Sequence, residues 1–170
     1  MKRFTAIAAL LIFVVAAGFS QTLKFGHINS DELVKSMPEF DTATARLEKF
    51  RKELVNTIEL MSVELNNKND AYTKEAKTLT DIVKQTKEQE IIDLNKRLQD
   101  FQQNAQTQFQ DKQGELFQPI TTKVDKAIKD VGKENGFIYI FDTSKGDLLY
   151  FDETKSVNLM TLAKAKLGLK

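Results

Sequence analysis

No glycine and no proline occurs anywhere between Phe40 and Gln113, and that single absence confines the middle of this chain to helix. Within it the apolar residues Ala43, Leu47, Phe50, Leu54, Ile58, Met61, Leu65, Tyr72, Ala76 and Leu79 recur in steps of three, four and seven. That is the repeat of a coiled-coil seam. A second stripe follows: Ile91, Leu94, Leu98, Phe101, Ala105, Phe109, Leu116, Ile120, Val124, Ile128 and Val131. Pro119 sits inside the second stripe, where a missing N–H and a bulky ring predict a kink.

The seam thins between the stripes, where Asn66, Asn67, Lys68, Asn69 and Asp70 lead into Lys74, Glu75 and Lys77. A fold-back near Asp81 lays residues 43–65 beside 97–119 and pairs the two apolar stretches, giving an α-helical coiled-coil hairpin with antiparallel helices. The alternative is one helix of about 75 residues, roughly 110 Å long at 1.5 Å per residue. Thr78 with Asp81, and Thr86 with Gln89, match capping boxes and favour a break.

The flanks read differently. Residues 23–28 alternate as a short strand, Ser30 with Asp31 and Glu32 predicts a helix cap, and Pro38 ends or kinks that first piece. Beyond Gly132 and Gly136, Phe137–Phe141 reads as a strand buried on both faces. The Ser144–Asp147 loop then predicts a hairpin to Leu148–Phe151. Val157–Leu167 reads as a closing amphipathic helix. The fold class is α+β, a small β-rich body carrying a long helical arm.

The first residues carry export. Met1, Lys2 and Arg3 precede an apolar run from Phe4 to Ala17, short for a membrane span, and Gly18 and Ser20 fit the small positions before a cleavage site. Residues 1–20 are therefore expected to be a signal peptide. Residues 21–170 form one domain, with its body at 21–40 and 132–170, its arm at 41–131 and the arm's tip near 78–86. A lipid anchor at the cleavage site would need a cysteine, and the chain has none. Disulfide staples are likewise excluded. Removing Lys2 and Arg3 from 25 basic residues leaves 23 against 24 acidic ones, a formal −1. Such a balance argues against nucleic acid, whose phosphates select clustered Lys and Arg. It leaves at most a weak contact with a membrane or lipopolysaccharide.

Catalytic chemistry finds little to use. His27 is the sole histidine, without a cysteine or second histidine to share a metal or complete a triad. Asp142 and Glu153 have the one-to-twelve spacing of a calcium loop, but Gly146 stands where an oxygen ligand is wanted and Asp147 where the glycine belongs. No metal, no cofactor and no enzymatic activity are expected.

The order of these elements resembles one family. Gly26-His-Ile-Asn-Ser30, the joint Ser36-Met-Pro-Glu-Phe40, the long polar hairpin, Gln118-Pro119 and Glu134-Asn-Gly-Phe-Ile-Tyr-Ile-Phe-Asp142 together look like the Skp/OmpH family of periplasmic chaperones. The resemblance implies a homotrimer with prefoldin-like arms that enclose unfolded outer-membrane proteins in the periplasm. It departs in charge, since relatives are often basic, and at Ser156-Val157-Asn158, where the family tends to an Asp-Ile-Thr-like start.

Association is also expected on physical grounds, because a body of about 60 residues is marginal alone. Phe25, Ile138, Ile140, Phe141, Leu149 and Phe151 would gain most by packing against copies of themselves. Candidate client contacts are Leu65, Tyr72, Leu79, Ile82, Val83 and Ile92, where the seam is least complete; the competing reading packs each inside its own arm. Lys74, Lys77, Lys84 and Lys87 make the distal arm locally positive, although a solvated face explains them equally. A rigid spacer or adaptor in an envelope assembly is the alternative function.

Overall fold

The computed structural model describes residues 23–146 and 148–169; the expected signal peptide lies outside the described residues. A short strand, β1 (Phe25–Ile28), leads into helix α1 (Ser30–Lys35). The cap is Asn29 rather than Ser30: its side-chain oxygen accepts the Glu32 N–H at 3.0 Å. An asparagine can hold the extended backbone before a helix and still satisfy an orphan amide, so the cap falls one residue earlier than the sequence suggests. Met37 is held extended by the proline that follows, and Pro38 opens helix α2 (Pro38–Glu75) at the position where a missing N–H costs nothing.

Helix α2 has 38 residues and ends in a turn at 76–80; helix α3 (Asp81–Glu134) has 54 and returns the chain to the body. Cross-helix contacts fix how the two lie. Glu39 meets Lys123, Lys68 meets Glu90, Glu75 meets Lys87, so the partner's number falls as the residue's own number rises. The capping boxes do not make this turn. Thr78 donates its hydroxyl to the Glu75 carbonyl, and Thr86 lies within α3 with its hydroxyl on the Ile82 carbonyl. Thr78 thus bonds back to the last residue of α2 and Thr86 to its own helix, and neither caps a new one. Thr80 precedes α3 with no side-chain cap. Helix α3 continues through Pro119.

Helix α3 ends in a left-handed glycine cap. Gly136 has φ 70°, Phe137 N–H reaches the Gly132 carbonyl at 3.0 Å, and Gly136 N–H reaches that of Lys133 at 3.4 Å. The chain then enters β2 (Tyr139–Asp142), and later β3 (Ser156–Asn158) and helix α4 (Met160–Lys166). The sheet order is β2–β1–β3, with both outer strands parallel to β1.

This corrects the expected β-hairpin. Leu148–Phe151 forms no strand, and residues 156–158, whose latter part reads as helix in the sequence, pair with β1 instead. The physical cause lies at Asp142, whose carboxylate accepts from Ser144 N–H at 3.0 Å and Ser144 Oγ at 2.8 Å. That turn bends the chain away immediately after β2, before an antiparallel return can begin. Burial of Phe137–Phe141 on both faces is also overturned. Ile140 faces the helices, while Tyr139 is 60% exposed and Ile138 and Phe141 are exposed with it. Among the described residues, helices cover one side of the sheet.

The core gathers on that side. Ile28, Leu33, Met37, Ala43, Ile120, Val124, Val131, Leu159 and Ala163 form one buried cluster joining β1, the root of the arm and α4. Close approach is built in at Gly26, where a Cβ would lie 2.2 Å from Leu159 Cδ1, and at Gly132, where it would lie 2.9 Å from Ile140 Cδ1.

Candidate functional site

The arm is two helices wide, so each helix can hide one stripe and must leave the rest of its surface in water. Leu94, Leu98 and Ala105 on α3 are buried against α2. Of the sequence-derived client contacts, Leu65, Tyr72 and Leu79 are half-buried in the arm. Ile82, Val83 and Ile92 are exposed, at 79% for Ile82 and 59% for Ile92. The arm therefore divides the expected set into three seam residues and three surface residues.

Sequence reasoning missed a second exposed set on α2: Val55, Leu60 and Val63, with Leu60 71% exposed. Leu60 and Val63 stand three apart, so they are neighbours on the helix surface. Their signal was available. Each falls out of register with the seam Leu54, Ile58, Met61 and Leu65.

Polar contacts join the helices toward the tip. Lys68 Nζ lies 2.9 Å from Glu90, Lys87 Nζ lies 2.8 Å from Glu75, and the Tyr72 hydroxyl donates to Glu88. The hydrogen bond from Lys68 holds the Glu90 carboxyl below its ordinary value, and the same bond raises Lys68. Glu88 likewise raises the Tyr72 phenol. Of the four distal lysines, Lys84 and Lys87 are thus drawn to Asp81 and Glu75, whereas Lys74 and Lys77 are exposed without an ion pair among the described residues.

The body presents a second surface. On the uncovered face of the sheet, Tyr139 stacks between Phe25 and Phe141, with ring centroids 6.3 and 6.2 Å away. His27, a surface strand residue on the sequence reading, is partly covered: Phe151 packs on its ring at 4.7 Å and its Nδ1 meets Ser156 Oγ at 2.9 Å. Leu149 points away from everything, at 99% exposed. Of the six residues expected to gain from association, Ile138, Phe141 and Leu149 are exposed, and Phe25, Ile140 and Phe151 are half-buried.

Asp142, the first residue of the apparent calcium loop, has its carboxylate on Ser30 and Ser144. Partial burial works to raise its pKa, but the hydrogen bonds from Ser30 and Ser144 outweigh it and hold the group below its ordinary value. Among the described residues, no group of three or more His, Cys, Asp or Glu side chains is arranged to hold a metal, and no helix is long and apolar enough to cross a membrane.

Taken together, the arm is a pair of long helices with exposed apolar side chains, mounted on a small α+β body. Residues 24–167 match the family described as outer membrane protein (OmpH-like), and the chain belongs to that family. It is 22% identical over 169 residues to the chaperone protein Skp of Yersinia enterocolitica, covering 98% of this chain and 100% of that protein. It is also 29% identical over 155 residues to an uncharacterised protein of Aquifex aeolicus (strain VF5), covering 90% of this chain and 89% of that one.

Proposed function

We propose that this chain is a holdase chaperone of the periplasm, exported by cleavage of residues 1–20, that binds unfolded outer-membrane proteins without ATP and keeps them from aggregating. The observation that carries this reading is the exposure of Leu60, Val63, Ile82 and Ile92 on the arm. Isolated apolar side chains set among charges give many weak footholds for an unfolded chain, and their sum holds it while each releases easily. Likeness to a chaperone of Yersinia enterocolitica over almost the whole chain supports the same reading.

In this proposal residues 21–40 and 132–170 form the body and 41–131 the antiparallel, prefoldin-like coiled-coil arm. The body associates through Phe25, Ile138, Ile140, Phe141, Leu149 and Phe151 as a homotrimer, so that several arms surround one client. The exposed aromatic face of the sheet supports that association, since a solvent-facing row of rings gains free energy when covered.

The test is suppression of aggregation of a denatured outer-membrane barrel. Removing residues 62–100 and closing the ends with a short turn should leave the body folded and abolish protection. Protection equal to that of the full chain would place the binding surface in the body and refute the reading.

A further inference from the structure

Helix α3 carries two unlike flanks between Ile92 and Gly114. Asn95, Gln99, Gln102, Gln106, Gln110 and Gln113 recur in steps of three and four, so they form one row along the helix, and all are exposed. Every charge of the same stretch, at Asp93, Lys96, Arg97, Asp100, Asp111 and Lys112, falls off that row. Helix propensity does not explain the choice, because glutamate and lysine form helix as well as glutamine does. Nor does the arm use these amides itself. Among the described residues, the α3 glutamine whose side chain is bonded within the arm is Gln89, which donates to Asp93 at 2.9 Å and lies off the row.

Beside the row the seam is hollow. Ala105 takes a position of the kind held by Leu94, Leu98 and Phe109, and its short side chain leaves a groove of about 270 Å³ between the helices. Leu54, Ile58, Ala105 and Phe109 floor it, with Val55 on one rim and Gln102 and Gln106 on the other. The charge among its described lining residues, Arg51, is held by Glu48 at 2.8 and 2.9 Å. The groove thus offers apolar surface and neutral amides, and nothing to pair an ionised side chain.

Spacing decides what fits there. Gln102, Gln106 and Gln110 follow one another at four-residue intervals, about 6 Å apart at roughly 1.5 Å per residue. Along an extended chain, alternate residues recur about every 6.7 Å, present their N–H and C=O on one edge and turn their side chains to one face. A glutamine amide both donates and accepts, so it can pair with both main-chain groups of one such residue, and its flexible side chain takes up the difference of about 1 Å or less. A helical segment has spent those groups on itself. We infer that the row at Gln102, Gln106 and Gln110 binds the main chain of an extended, uncharged client segment, whose alternate apolar side chains enter the groove beside it. Each bond replaces bonds to water and is weak alone, so the grip comes from several in line. This inference rests on the proposed holdase reading and names what that part of the arm holds: backbone in extended form, with apolar residues at every second position.

The test uses the full chain and a fluorescein-labelled peptide alternating Val with Ser, read by anisotropy; about ten residues at ~3.3 Å each span the row. A second peptide carries N-methyl groups on its central main-chain nitrogens, which removes the donors and keeps every side chain. The row variant is Gln102→Ala/Gln106→Ala/Gln110→Ala, and the control Gln103→Ala/Asn104→Ala/Gln108→Ala removes as many amides from other faces of the same helix. Expected is about tenfold weaker binding of the plain peptide by the row variant and less than about a twofold change in the control. N-methylation should cost about tenfold on wild type and less than about threefold on the row variant, as coupled groups do in a double-mutant cycle. The N-methyl comparison on wild type stands whatever the substitutions do to the arm. Equal losses in the row and control variants, an N-methylation penalty that is absent or is unchanged by the row substitutions, or a wild type that suppresses aggregation yet ignores the plain peptide overturns the main-chain site and leaves the holdase reading standing. A wild type that neither suppresses aggregation nor binds the peptide overturns both.

Discussion

Leu94 lies deep in the seam of the arm, 1% exposed, and Ile92 on the same turn is 59% exposed. Truncating each to Ala removes comparable apolar bulk, so their difference isolates the seam. In rigid cores Leu→Ala costs about 2.7–5 kcal/mol, the larger values belonging to sites that cannot collapse. Two helices with solvent on both sides can move together to fill the space, so the lower end applies, about 2.7 kcal/mol. Ile92→Ala touches nothing buried and should cost under about 0.5 kcal/mol. With about 1.4 kcal/mol per tenfold, amide hydrogen exchange in the arm around residues 60–70 and 88–101 should accelerate on the order of 100-fold for Leu94→Ala and less than about threefold for Ile92→Ala. In the aggregation assay the order should invert, Ile92→Ala losing more protection at a temperature where both arms are folded. Equal acceleration by the two variants would refute the placement of the seam, and unchanged exchange in Leu94→Ala would refute the idea that the seam holds the arm together.

Two further outcomes follow from charge. Asp142 has a folded pKa below its unfolded one, so its contribution to stability is present above the ordinary carboxylate range near pH 3.9 and lost as pH falls through the folded value. Asp142→Asn should therefore cost about 1–2 kcal/mol in urea unfolding at pH 7, with the gap from wild type closing below about pH 4; a gap constant down to pH 3 would deny the carboxylate that role. Client affinity should change less than about tenfold between 50 and 500 mM salt, because exposed charges beyond roughly 8 Å are already screened at physiological ionic strength. A steep salt dependence, accompanied by a larger loss on changing Lys74, Lys77, Lys84 and Lys87 to Gln than on changing Leu79, Ile82 and Val83 to Ser, would make the lysines the grip.

What is legible in the sequence is what depends on near neighbours. A helical stripe is a local property, so Leu54, Ile58 and Leu65 on one helix and Leu94, Leu98 and Ala105 on the other announce themselves by spacing alone. Pro38 and Gly136 mark boundaries for equally local reasons, a missing N–H and a left-handed φ. The turn is visible as a loss of apolar residues after Leu65, while the threonine motifs that favour it bond back to Glu75 and Ile82. The sheet is not legible. β1 and β2 pair across the whole length of the arm, Phe25 against Tyr139, and no short-range signal distinguishes that parallel register from a hairpin with the nearby Leu148–Phe151. The choice is made by Asp142, a single carboxylate that turns the chain, and such a turn is read only when its hydrogen-bond partners are seen.

The same division explains why the arm's surface is only half legible. By spacing, Leu65, Tyr72 and Leu79 are loose ends of a thinning seam, yet they lie partly between the helices, and polar contacts complete the join around them: Lys68 with Glu90, Tyr72 with Glu88, Glu75 with Lys87. Exposed ion pairs of this kind contribute little to stability. A hairpin closed by them toward its tip and by Leu94, Leu98 and Ala105 nearer the body is therefore softest where it lies farthest from the sheet, since regions with few buried apolar contacts open most readily. For the proposed holdase this places Ile82 and Val83 on the part of the arm best able to adjust to a partner without fixed shape. The apolar core that would have stiffened the tip would also have withdrawn those side chains from the surface, so the thin seam and the exposed footholds are two consequences of one sequence choice.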